Sequence, residues 1–428
     1  MFSSFKSFGE KSYILQHLDL VILGAVAALL TGSLFIPSGA IGLGILVIFL
    51  LTLLKILVNG EKIELTKTQW WLIVYFLIVF ISLCGSTLFG LSLKGFIKTV
   101  LYLLFYFSIT NLFKTNLKYA VATIFVVAVG IILEGGMGWI QNFSHVQMIS
   151  GWQDVTNLNP EQIMTRVYGT LKPYNPNLLG GYFVVGLPAV LCCTIGLFIK
   201  KYYKLALLFA FGTFLGITAL VFTGCRGAYI GFFFMTLALI AVVLKLFGTN
   251  YKKIVFRAIG LSFSAATALI LASTSLRARI LSIFAMRADS SNSFRFNVYQ
   301  SAWEMFKDNW LLGIGVGNKN FREIYGLYMK TGFDALSAYN IYLETAVESG
   351  IFALIAFLIY LGMQIFNSLK FIFTSRDTEK ILLVLGAFLS LAGAMSHGMV
   401  DTVFYRPQIQ LVFWIMMAVI TVIADNRN

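Results

Sequence analysis

Charge is what this sequence has least of. Only 12% of its 428 residues are Asp, Glu, Lys or Arg, about half the share found in soluble domains. That shortage excludes an ordinary water-soluble fold. Histidine is nearly absent (3 residues), so a zinc or haem centre is a poor expectation. The four cysteines, Cys84, Cys192, Cys193 and Cys225, lie in or beside apolar runs and form no CxxC. They read as small buried hydrophobes, not as a disulfide framework or metal site. No metal and no cofactor is expected. Acidic residues (18) are fewer than basic ones (32), giving a net charge of +14. The excess does not point to nucleic acid, because Lys and Arg fall mainly at the ends of apolar runs, where they orient membrane proteins.

What is abundant is apolar surface: 59% hydrophobic residues, with 40 Phe. A helix needs roughly 20 apolar residues to cross a bilayer. Runs of that kind fall at 18–36, 39–57, 70–88, 95–112, 119–140, 178–199, 203–222, 227–247, 254–274, 350–372, 380–399 and 408–424. The expected fold is an all-α polytopic membrane protein of about twelve spans, forming one integral membrane domain over 1–428. Pro37-Ser38-Gly39 must turn between the first two runs. The first 17 residues, with Lys6 and Lys11, lead into a first helix that reads as uncleaved.

Basic residues set the orientation. With the N-terminus inside, the cytoplasmic segments hold Lys55, Lys62, Lys67, Lys114, Lys118 and Lys200 among many others. Outside the long loop, the opposite side holds only Lys94, Lys98, Arg166, Lys172, Arg226 and Arg406. Both termini are therefore expected in the cytoplasm. Two segments, 141–177 and 275–349, face the other side and are too long for simple connections. Within the larger, Tyr299, Ala302, Trp303, Phe306 and Trp310 share a helical face opposite Glu304, Lys307 and Asp308. That predicts a helix against the membrane surface, then the turn Gly313-Ile314-Gly315-Val316-Gly317, then a helix from about Asn318. The turn follows no βαβ pattern, so it is not a dinucleotide site.

Candidate chemistry gathers on the side opposite the cytoplasm. Arg226, in Thr223-Gly224-Cys225-Arg226-Gly227-Ala228, sits at the edge of two spans, where a cation needs polar protein, water or an anion. Snorkelling to headgroups is the plain alternative. Arg295, with Arg277, Arg279 and Arg287 upstream, offers planar paired donors to phosphate oxygens, although Arg277 and Arg279 equally suit anionic lipid. Asn340, Glu344 and Glu348 are four apart, so a helix places them on one face, as a proton-accepting stripe or as a solvated surface. His397, Asp401 and Tyr405 give a polar face to span eleven, and an Asp401–Arg406 contact would tie two spans together. Lys94 and Lys98 share a face at the outer start of span four. Glu134 lies near the outer end of span five. Arg166-Val167-Tyr168-Gly169 and Asn175-Pro176-Asn177 form a turn cluster before span six.

Three stretches, RVYGTLKPYNPNLLGGYFVVGLP from Arg166, Thr223 to Ala228, and Arg295 to Phe352 with WEMFKDNWLLGIGVGNKNF, resemble the bacterial O-antigen ligase and polymerase family. The similarity is best across spans six to twelve, with a core at 163–372. SSNSFRFNVYQSAW, FDALSAYNIYLE and HGMVDTVFYRPQIQLVFW resemble the branch first described as cyanobacterial putative bicarbonate transporters. The resemblance implies a GT-C-like helical fold in the bacterial inner membrane and a role in lipopolysaccharide or related cell-envelope biosynthesis. It implies metal-independent glycosyl transfer from an undecaprenyl diphosphate carrier to a hydroxyl acceptor. It makes Arg226, Arg295, Tyr339, Asn340, Glu344 and Glu348 the catalytic set, with Lys94, Lys98, Arg166, Asn177, Asp401 and Arg406 lining the substrate. Family ligases carry His where this chain has Tyr339, and a phenol is a weak base at neutral pH. The readings that stand beside transfer are bicarbonate transport and a membrane scaffold.

Overall fold

The computed structural model describes residues 13–144 and 166–425, and only some of the side chains between 248 and 290. The expected leader with Lys6 and Lys11, the middle of the 141–177 segment and Arg427 lie outside the described residues. After one turn at Tyr13–Gln16 come α1 (Leu18–Gly32), α2 (Ser38–Asn59), α3 (Lys67–Gly85), α4 (Phe89–Thr115) and α5 (Leu117–Phe143). Then follow α6 (Pro176–Ile199), α7 (Tyr203–Phe222), α8 (Arg226–Ala272), α9 (Thr274–Phe284), α10 (Ser290–Asp308) and α11 (Asn318–Tyr325). The chain closes with α12 (Ile341–Thr374), α13 (Thr378–His397) and α14 (Pro407–Ile420). No β-strand occurs among the described residues.

Local chemistry explains where these helices begin. Thr66 and Gln69 form a reciprocal capping box ahead of α3, which satisfies two amides that the helix itself cannot. Asn116 closes α4 and caps α5 with no loop between them. Asn175 caps α6, and Pro176 takes the first helical position, where its missing N–H costs nothing. Pro37 precedes α2 in extended backbone, so the expected Pro37-Ser38-Gly39 turn is present.

Ten helices among the described residues are long and apolar enough to cross a membrane, against about twelve expected. The two differences have separate causes. The first run yields the helix Leu18–Gly32, of 15 residues, because the chain leaves helical geometry before Pro37. Runs 227–247 and 254–274 merge into α8, of 47 residues, and only Arg226–Phe247 counts as a span. A straight helix of that length would reach about 70 Å. Yet Arg279, seven residues past its end, places Nε 2.8 Å from the Gly224 carbonyl just before its start. Seven residues extend at most about 25 Å. α8 therefore returns toward the side from which it set out, as the two expected runs require.

Burial sorts the spans into centre and rim. In the last span, Pro407–Asp425, which continues α14 by a further turn, 89% of the most apolar window is buried, and in α13 72%, against 17% in Arg226–Phe247. α13 packs on α6 and α8, and α14 on α4 and α13. The rim helices turn Leu43, Val47, Leu207, Leu208, Phe211 and Phe233 outward, a surface suited to hydrocarbon rather than water. A second, smaller core lies on the side of the long loop, where Val298, Ala302 and Met305 of α10 meet Phe321, Tyr325, Ala335, Ala338 and Val347. The apolar face expected on α10 is divided: Ala302 is buried in this core, while Trp303 and Trp310 are each 52% exposed.

One further boundary moves. α12 begins at Ile341, not at 350, and passes through Gly350 at φ 80° and ψ 175°, a kink between two helical pieces. The glycine turn has φ of 71° at Gly313, 95° at Gly315 and 126° at Gly317, backbone that glycine adopts without strain. It lies against the same kink: Gly313 N–H bonds the Asn309 carbonyl, and the Ile314 and Gly315 amides bond the carbonyls of Val347 and Glu348. The turn fastens loop to span.

Candidate functional site

The loop-side ends of α6, α8, α10 and α12 converge, and each presents its N-terminus. Their N-caps are Asn175, Cys225, Asp289 and Asn340. Unpaired amides and the helix dipole make such ends favourable to anions. Four arginines stand among them.

Arg226 opens α8 and is 6% exposed. Its guanidinium bonds Asp289 at 2.8 Å and the Ser282 hydroxyl at 3.1 Å. Asp289 in turn accepts the Asn292 amide and so caps α10. Arg279 donates to the Gly224 carbonyl. Arg166 donates from Nε to the Thr223 carbonyl at 2.7 Å and from NH2 to Asn177 Oδ1 at 2.5 Å. Asn177 passes the chain on to Asp401 Oδ2 at 3.2 Å. Asp401 faces Arg295 at 3.7 Å, while its other oxygen accepts the amides of Thr402 and Val403. Arg295 also holds Ser291 and lies 5.8 Å over the Tyr339 ring, and its Nε is buried without a partner.

The charges do not cancel. Four guanidinium groups meet two carboxylates, Asp289 and Asp401, leaving two positive charges in a poorly hydrated place. Burial, then the neighbouring Arg166 and Arg226, pulls Arg279 down to about 10; burial also lowers Arg166. Both stay cationic at neutral pH. The arrangement is a site for a strongly anionic group.

Tyr339 sits at φ 50°, a left-handed conformation costly for a bulky residue. Its carbonyl accepts the Tyr299 hydroxyl, and its ring meets Phe294 edge to face. Burial, followed by the nearby Asp401, pushes its phenol up to about 12. It remains protonated and can donate a hydrogen bond, not accept a proton. Asn340 is the α12 cap, accepting the amides of Tyr342 and Leu343.

The expected stripe of Asn340, Glu344 and Glu348 is therefore divided. Asn340 precedes the helix, and both glutamates are buried instead of forming a solvated face. Glu344 accepts the Ala338 amide and Glu348 the Gly317 amide. The glycine turn thus holds a carboxylate. Lys98 lies within electrostatic reach of Glu344, Glu348 and Arg406, forming a second cluster beside the first. Arg406 does not pair with Asp401 as expected; Arg295 and Asn177 take that place. Lys94 is exposed one turn from Lys98, with no described partner in either cluster. Glu134 supports the turn before α6 through the Thr170 amide and hydroxyl, and Gln141 accepts the amides of Tyr168 and Gly169.

The sequence does not single out Asp289, and it leaves Arg279 equally suited to anionic lipid. An Asp ahead of Ser-Ser-Asn was a readable cap signal; its pairing with Arg226, 63 positions away, was not. Cys225, His397 and Asp401 bring ligand atoms within 4.8 Å of one another, a spacing that could hold a metal ion. Both oxygens of Asp401 are already engaged, and Arg166 and Arg295 lie within electrostatic reach of the thiol. A divalent cation there would meet repulsion, so the trio is a buried polar junction.

Residues 211–358 match the family model described as O-antigen ligase. None of the curated proteins matches the chain. The matched segment contains Arg226, Arg279, Asp289, Arg295, Tyr339, Asn340, Glu344 and Glu348, while Arg166, Asn177 and Asp401 complete the cluster from outside it. The match concerns the family as a whole and does not single out the bicarbonate-transporter-like branch. The chain is a many-span helical membrane protein whose residues 211–358 are similar to the O-antigen ligase family.

Proposed function

We propose that this protein transfers or polymerises a glycan from an undecaprenyl-diphosphate carrier onto a hydroxyl acceptor, at the outer face of the cytoplasmic membrane. The observation that carries the reading is the arginine cluster, with its two uncompensated positive charges among four helix N-termini beside the spans. A diphosphate attached to a lipid chain suits a cationic pocket at that depth.

In the step envisaged, the acceptor oxygen forms a bond to the anomeric carbon while the bond from that carbon to the diphosphate oxygen breaks. Arg226 and Arg295 stabilise charge growing on the leaving diphosphate. Arg166 and Arg279 hold the Thr223-Gly224 turn that presents Arg226. Tyr339 is unsuited to take the hydroxyl proton. Asp401, beside Arg295, is the carboxylate within the arginine cluster that would take the hydroxyl proton, while Glu344 and Glu348 belong to the neighbouring Lys98 cluster.

The test is envelope glycan profiling of a deletion strain complemented with wild type or Arg226→Ala. Removing one charge-stabilising group should cost about 100-fold or more in transfer, so the variant should show the glycan defect of the deletion. Unchanged glycans in both strains reject the reading, and uptake of labelled bicarbonate into proteoliposomes would replace it.

A further inference from the structure

Beside the arginine cluster, the outward face of α10 forms one wall of an open groove of about 510 Å³, within the roughly 300–1,000 Å³ typical of small-molecule sites. Phe296, Tyr299, Trp303 and Tyr328 supply four rings, with Gln300 and Glu304 between them. The two faces of α10 differ sharply: Val298, Ala302 and Met305 are fully buried, while Trp303 is 52% exposed. Exposed aromatic surface that is concave and rimmed by polar groups has a ligand's usual signature. Here the rim includes Arg287, stacked over Phe296 at 5.6 Å, and Lys330, which reaches Asn297 at 3.3 Å and Gln300.

We infer that this groove is a saccharide-binding site that holds the sugar rings extending from the reacting centre, an inference that rests on the proposed glycan transfer. Sugar rings carry flat C–H faces that pack on aromatic rings, and hydroxyls that both donate and accept. The lining offers both kinds of partner: rings, the Gln300 amide, the Glu304 carboxylate, and the Arg287 and Lys330 donors. A lipid tail would meet these charges, and a polyanion would meet Glu304. Continuity gives direction. Tyr299 lines the groove and donates its hydroxyl to the carbonyl of Tyr339, the residue beneath Arg295. A chain whose anomeric carbon lies at the arginines can therefore run onward across Tyr299, Phe296 and Trp303. The rings belong to the donor glycan or to the acceptor glycan, which share this chemistry.

The experiment measures binding of oligosaccharides to the full-length protein in detergent by saturation-transfer NMR. Two probes come from the producing cells: size-fractionated fragments of their envelope polysaccharide, and the acceptor glycan prepared from the deletion strain. Wild type should bind one or both, and which one identifies the source. Trp303→Ala should weaken binding at least about tenfold, the scale of a lost aromatic anchor, with unchanged thermal stability because the ring is half exposed. Lys319→Ala, exposed and outside the groove lining, should bind as wild type does. No binding of either probe above that of an unrelated membrane protein, or equal binding by Trp303→Ala, overturns the groove. Binding that survives when Arg226→Ala leaves glycan profiles unchanged would retain the groove and reject the transfer reaction.

Discussion

At Tyr339 a phenol occupies a left-handed backbone position, beneath a guanidinium and within reach of a carboxylate. Its burial raises the phenol to about 12, above its ordinary value, so it is neutral at every pH at which the protein is assayed. The sign of the shift yields a prediction. The pH–rate profile of glycan transfer between pH 6 and 9 should keep its shape in Tyr339→Phe, since the wild-type phenol does not titrate there. Loss of an alkaline limb in the variant would reverse this assignment. Arg226 shows the complementary lesson. Its position at the edge of two spans is readable from sequence, because an arginine beside two apolar runs is costly without a partner. Its partner Asp289 was not readable, since the pair forms only after α8 has returned and α10 has been capped. Away from the site, Lys55 is 1% exposed and held by Asp19 at 2.6 Å, Asn111 at 3.0 Å and Thr115 at 2.6 Å. It joins α1, α2 and α4, where the charge pattern alone marked it as a loop-facing cation.

Among elements, the kink of α12 and the glycine turn act as one joint. A methyl group on Gly350 would lie 2.2 Å from the Leu311 carbonyl oxygen, and one on Gly313 would lie 2.4 Å from the Glu348 carbonyl carbon. Both positions also have positive φ. Gly350→Ala should therefore destabilise the protein by at least about 1–3 kcal/mol, the usual cost of such backbone strain, and separate the loop from α12. A fall in thermal unfolding temperature of the detergent-solubilised variant tests this, and wild-type stability would show that the joint yields freely. The glycine spacing was plain in sequence, and so was its lack of a strand partner. That it cradles Glu348 was hidden, because the contact depends on where α12 breaks. The start of α12 lies ahead of its apolar run for a related reason. Hydropathy locates the apolar part of a helix, and Asn340 caps a polar first segment that hydropathy discards.

For the whole molecule, the distribution of Lys and Arg predicts which side the arginine cluster faces. Cysteine labelling tests this in a Cys84→Ser background, since Cys84 is the exposed native thiol. Leu327→Cys, at a position 83% exposed on the long loop, should react with an impermeant maleimide in intact cells. Lys62→Cys, exposed in the connection between α2 and α3, should react only after permeabilisation. The reverse pattern would place the cluster in the cytoplasm and remove the access to an outer-face donor on which the proposed reaction depends.

Membrane residence, the helical class, the long loop and most spans followed from the sequence by itself. Each depends on the length and apolarity of a single run, and a bilayer imposes that rule on every segment separately. Nearly every residue of the candidate site was also visible as an uncommon polar group in an apolar chain. The grouping was decided only by tertiary structure. Which arginine pairs with which carboxylate, why two positive charges remain, and why Glu344 and Glu348 are buried all depend on helix ends brought together from distant parts of the chain. Pairing across such distances is set by packing and by the return of α8, and no local pattern encodes either.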